Sequence, residues 1–198
     1  LVLDHGTSGG DELSVTLYAE PKQMVRSERN RYRDFHRYHL GGSATWLHRA
    51  QPSPDLESMS LAGGDGAWQD GSIHFYSLAP GGSQGDEIRA DKREAAGSAG
   101  FFAQQELRWK QRWSVRVAAR FDNLRYLSED HLEPALDARK TFTRWTPKAA
   151  VSCAFERHTV YAALGGGVEA PAFNEIDPPP QVAGSTGLNP FLDAMEST

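Results

Sequence analysis

From Trp113 to Phe121 the chain has a period of two: Trp113, Val115, Val117, Ala119 and Phe121 fall on one parity, and Arg112, Ser114, Arg116 and Arg120 on the other. Successive side chains of a strand point to opposite faces, so this segment, when extended, has one oily face and one charged face. A helix would scatter the same residues around its circumference. The oily face must be covered, either by a second layer of protein or by lipid.

The pattern recurs. Phe101, Ala103, Leu107 and Trp109 alternate with Gln104, Glu106, Arg108 and Lys110, and Gln105 is the one polar residue on the apolar parity. Only Lys110 to Arg112 separate the two runs, which predicts a tight antiparallel hairpin. Trp145, Pro147, Ala149, Val151, Cys153 and Phe155 share a face of a further strand, which turns at about Glu156 to His158 and returns through Val160 to Leu164. Proline gives no N–H to a ladder, which places Pro147 near the outer end of its strand. Leu13, Val15, Leu17 and Ala19, then Tyr38, Leu40, Ala44 and Trp46, predict two earlier strands, and Leu56 to about Trp68 a weaker one.

The connections alternate in length. Asp4 to Asp11, Arg49 to Asp55, Lys110 to Arg112 and Glu156 to His158 are expected to be short; Pro21 to Arg31, Gln69 to Lys92, Leu127 to Lys140 and the stretch after Gly165 are expected to be long. Short turns on one rim and long loops on the other are the pattern of an outer-membrane barrel. The aromatics agree, because Tyr38 and Trp46, Phe101 and Trp109, and Trp113 and Phe121 are each eight residues apart. Eight strand steps cover about 26 Å, close to the roughly 25 Å apolar band that aromatic girdles flank. Trp46, Phe101, Trp109, Trp113, Phe121, Trp145 and Phe155 are the expected girdle residues, with Trp46, Trp109, Trp113 and Phe155 beside the short turns. On the other face Glu106, Arg116 and Arg120 are expected to look into a lumen. The competing architecture is a soluble, secreted β-sandwich binding module, in which the aromatics would be core.

Composition sets outer limits. With 39% hydrophobic residues and a net charge of -5, the chain is neither collagen-like nor strongly disordered, and a general affinity for nucleic acid is not expected. No run of eighteen apolar residues exists, which excludes a membrane-spanning helix but not spanning strands. Leu1 to Asp4 do not resemble a signal peptide, so the expectation is that leader and upstream sequence are missing.

The motifs read as punctuation rather than chemistry. Gly6-Thr7-Ser8-Gly9-Gly10 matches a hydrolase nucleophile elbow in letters, but a strand, not a helix, is expected after Ser8. His36 and His39 would face opposite ways along a strand, so no metal site is inferred, and the lone Cys153 is read as apolar filler. Asp65, Asp70 and Asp86 lack calcium-loop spacing. Arg26, Arg29, Arg31, Tyr32, Arg33, Arg37 and Tyr38 form a basic-aromatic cluster, expected to run from an outer loop into a strand and to meet lipopolysaccharide phosphates or an anionic ligand.

Several segments, in order, resemble the TonB-dependent receptors. Gly100-Phe101-Phe102-Ala103-Gln104-Gln105-Glu106, Ala119-Arg120-Phe121-Asp122 and Thr146-Pro147-Lys148 are similar to strands of that family. Val160 to Glu175, with Tyr161, Gly167, Ala170, Pro171, Asn174 and Glu175, resembles its glycine, Ala-Pro and Asn-Glu landmark, expected here to shape an outer loop. Leu188-Asn189-Pro190 with Glu196-Ser197 is similar to the next one. Glu169 and the stretch from Asp193 to Glu196 depart from the pattern, which leaves subfamily and ligand open.

The resemblance implies an all-β, antiparallel transmembrane barrel of twenty-two strands closed around a plug, of which residues 1 to 198 supply about eight strands. It further implies a bacterial outer-membrane location and non-enzymatic uptake of a scarce ligand such as a ferric siderophore, with no cofactor. The TonB complex would act through a plug domain lying outside these residues.

Overall fold

The structure, a computed structural model, describes residues 1–6, 10–169 and 195–197. Eight consecutive strands form one antiparallel sheet in chain order: β1 (Val2–Gly6), β2 (Asp11–Glu28), β3 (Arg31–Ser53), β4 (Leu56–Leu78), β5 (Gln84–Trp109), β6 (Trp113–Asp130), β7 (Ala138–Ala154) and β8 (Thr159–Gly165). Two short strands, β9 (Gly167–Glu169) and β10 (Met195–Ser197), pair separately. One continuous meander replaces the two stacked layers that a sandwich requires.

The hairpin expected at Lys110 to Arg112 is there. Trp109 pairs with Trp113, and Lys110 and Gln111 both take left-handed backbone, with φ of 51° and 53°. The other short connections are Pro54–Asp55 between β3 and β4 and the four residues 155–158 between β7 and β8. Phe155 therefore sits in a turn rather than a strand, with the Arg112 guanidinium 4.7 Å above its ring.

The expected long loops are mostly strand. Pro21 to Arg31 continues β2 to Glu28 and turns only at Arg29–Asn30. Gln69 to Lys92 is the far end of β4, a turn at residues 79–83 and the start of β5; Leu127 to Lys140 shrinks to a connection at residues 131–137. The physical reason is that backbone pairing needs no apolar alternation. Where both faces of a hairpin meet water the period of two disappears, while the hydrogen-bond ladder continues.

Pro21 and Pro147 show how ladders tolerate a missing donor. Pro21 has the parity of Leu17, whose N–H points to Leu1 at 2.8 Å, so its vacant side faces away from β3. Pro147 lies inside β7 opposite Ala119, not near the strand's outer end. Its carbonyl accepts from the Gly166 N–H at 3.2 Å, just beyond the last β7–β8 pair, Lys148 with Gly165, so the missing N–H removes one bond only at the end of that ladder.

Candidate functional site

The register divides the sheet into two surfaces. On the apolar one, Phe101, Phe121 and Trp145 stand opposite one another on β5, β6 and β7, with Phe121 and Trp145 ring centroids 5.2 Å apart. Phe101 is 65% exposed and Trp145 66%. Trp46, Trp109, Trp113 and Phe155 are exposed too, while Phe121 is half-buried. Such a surface is costly in water and favourable against hydrocarbon.

The apolar band crosses the strands at a slant. Trp46 is level with Ala62 and Ala103, six residues short of Trp109; Tyr38 is level with Asp70 and Ala95, six residues beyond Phe101. An eight-residue window thus slides by six residues between β3 and β5, so the strands run tilted through the band, as barrel strands must. The girdle aromatics expected beside the short turns are therefore not one row of the sheet.

Gln105, the polar residue on this surface, is satisfied locally. Its Oε1 accepts from the Ser60 hydroxyl at 2.6 Å, and its Nε2 donates to Ser58 Oγ at 2.9 Å and to the Glu106 carbonyl at 3.1 Å. An amide with its bonds made costs little at a lipid face. Only the sheet brings the two β4 serines to the β5 glutamine, a proximity with no signal in the linear chain.

The opposite surface is ion-paired. Glu106 is 2% exposed; its carboxylate accepts from Arg116 Nη2 at 2.6 Å, Arg108 Nε at 2.8 Å and Ser114 Oγ at 3.2 Å. Arg120 reaches across β5, donating to Asp65 on β4 at 2.7 and 2.9 Å and to Asp122 on its own strand at 2.8 Å. A Cβ at Gly100 would come within 2.9 Å of Asp122 and closer still to the Arg120 guanidinium, so glycine here makes room for the ion pair. Glu106, Arg116 and Arg120 thus lie on one face, in two separate clusters.

Towards the β2–β3 turn this face becomes basic. Lys22 stands directly opposite Arg37, and Arg26 opposite Arg33; between these rungs lies Met24 opposite Phe35. Like charges opposed across a ladder are destabilising. Part of the charge is answered: Arg37 donates to Glu94 on β5 at 3.1 Å, and Glu28 accepts from Arg33 at 2.9 Å and Arg26 at 3.1 Å. The hydrogen bond from Arg33, with further attraction from Arg26 and Arg31, holds the Glu28 carboxyl below its ordinary range despite some burial. The basic-aromatic cluster expected to begin in a loop is instead a strand hairpin.

Among the described residues no group of three His, Cys, Asp or Glu side chains is placed to hold a metal. No helix of the described residues is long and apolar enough to cross a membrane, which leaves spanning by strands open. Of the loop residues singled out in the sequence, Gly167 falls in β9; Ala170, Pro171, Asn174 and Glu175 lie outside the described residues, as does Ser8.

A wide antiparallel meander with an aromatic-bracketed apolar surface and an ion-paired reverse is the wall of a membrane barrel. The chain belongs to the TonB dependent receptor-like, beta-barrel family, which matches residues 3–198. Among solved structures it is similar to the ferric citrate transporter FecA in its unliganded form, with a TM-score of 0.67 and 11% sequence identity. That similarity covers 83% of this chain and 26% of the transporter's, so the chain spans about a quarter of that protein's length. At this identity the likeness concerns the fold. No curated protein sequence matches the chain.

Proposed function

We propose that residues 1–198 are part of the barrel wall of a bacterial outer-membrane receptor that takes up a scarce ligand, such as a ferric siderophore, under the drive of the TonB complex. The observation that carries this reading is the segregation of the sheet: a tilted apolar band on one surface, and on the other a polar wall that turns basic beyond the band. The reading assigns Trp46, Phe101, Trp109, Trp113, Phe121, Trp145 and Phe155 to the membrane interfaces, against lipid and lipopolysaccharide. Glu106, Arg116 and Arg120 face the lumen.

The ends of β2 to β5 run past the apolar band and so stand on the outer side, where ligand is captured. The wall holds no catalytic constellation in this reading; its work is binding and guidance, with energy arriving through a plug domain. The basic hairpin favours an anionic ligand. The test is uptake of radiolabelled ferric chelates by cells with and without the intact gene. Accumulation that needs the gene and stops when a protonophore collapses the proton gradient supports the proposal; energy-independent or gene-independent accumulation contradicts it.

A further inference from the structure

We infer that the polar face of the β2–β3 hairpin holds an oxyanion-binding site, centred on Arg31 and Arg33 and backed by Phe35 and Phe75, that takes a carboxylate or phosphate group of the captured ligand. Three observations carry it. Both guanidinium groups are held against one ring: the Arg31 Cζ lies 4.7 Å and the Arg33 Cζ 5.0 Å from the Phe75 centroid. Phe35 supports Arg33 from 4.9 Å and meets Phe75 edge-on at 6.3 Å. A guanidinium held over an aromatic face keeps its N–H edge available to acceptors.

Those donors are under-used. Arg33 gives one hydrogen bond, from Nη1 to Glu28, while its Nε is buried without any partner. Arg31 makes no hydrogen bond to a described side chain or carbonyl. Charged donors left without acceptors are costly, which is the condition expected of a site that receives an anion. The third observation is the pair of like-charged rungs, Lys22 with Arg37 and Arg26 with Arg33, which the isolated hairpin has no reason to keep. Glu28 and Glu94 are too few to neutralise them. An oxyanion seated at Arg31 and Arg33 would accept from their terminal N–H groups and relieve the repulsion.

The site rests on the uptake proposal only for its biological meaning, because anion binding is measurable on its own. The probes are citrate and inorganic phosphate, titrated calorimetrically into the full-length protein in detergent micelles, freed of lipopolysaccharide. The Arg31→Gln, Arg33→Gln double variant is compared with Arg125→Gln, Arg139→Gln, which removes the same charge from the apolar-parity side of β6 and β7. Heat-modifiable migration on gels confirms that each variant is folded. At least a tenfold rise in the dissociation constant of one probe in the first variant, with less than a twofold change in the second, is the expected result.

A lipid headgroup supplies the same chemistry. If it is the occupant, phosphate retained per molecule after extraction from native membranes falls in the first variant only, and the free probes bind weakly. Equal losses in both variants, or no difference from wild type in probe affinity and in retained phosphate, overturn the site. Anion binding without gene-dependent uptake would keep the site and refute the transport proposal; uptake with anion binding indifferent to Arg31 and Arg33 would do the reverse.

Discussion

The two surfaces of the sheet are separated most sharply by moving one charge across it. Val117 is 52% exposed on the apolar surface, four residues from Trp113 and four from Phe121, and stands between Gln105 on β5 and Ala149 on β7. Four strand steps are about 13 Å, farther than an arginine side chain reaches even along a tilted path, so Val117→Arg leaves its charge near the centre of the band. An arginine at the midplane of an outer-membrane barrel costs about 2–4 kcal/mol. At 1.4 kcal/mol per factor of ten, this is roughly a 30- to 700-fold loss in the folding equilibrium. Ala118→Arg, one residue on, points to the polar wall between Gln104 and Lys148 and costs less than about 1 kcal/mol, chiefly repulsion from Lys148. Urea titration of the full-length protein refolding into phospholipid vesicles measures both. Equal destabilisation, or a larger loss at 118, would refute the assignment of faces.

Further outcomes follow from individual contacts. Arg120→Ala leaves Asp65 and Asp122 facing each other without their shared cation and costs about 1–3 kcal/mol; Asp65→Asn in that background recovers part of it, giving a coupling energy of about 0.5–3 kcal/mol in a double-mutant cycle. Arg116→Ala is milder, because Glu106 keeps Arg108 and Ser114, and the same titration ranks it below Arg120→Ala. Gly97→Val should destabilise by about 1–3 kcal/mol despite valine's strand preference, since a Cβ there comes 2.8 Å from the Trp68 ring; the tryptophan emission spectrum reports the ring's displacement. Glu28 titrates below the ordinary value of 4.5, so its contribution is present above that pH and is lost as pH falls through the lower native value. Carbon-detected NMR of the labelled carboxyl shows this directly, and Arg33→Gln should return the midpoint towards 4.5.

The sequence by itself determined which side chains share a face. Trp113 to Phe121 and Phe101 to Trp109 alternate without ambiguity because one surface of the sheet must be apolar throughout, and lipid enforces that at every second position. The hairpin at Lys110 to Arg112 was legible for the same reason. Where the enforcement ends, so does the signal: β2 from Pro21 and β5 up to Lys92 are ladders without apolar alternation, and their residues read as loops.

Only the tertiary structure decided which strand stands at which height beside which. Register is a relation between segments far apart in the chain, fixed by backbone bonds that carry no side-chain signature. It alone sets Gln105 among Ser58 and Ser60, bridges Arg120 to Asp65, slants the aromatic band, and lays Arg31 and Arg33 on a phenylalanine more than forty residues away in sequence.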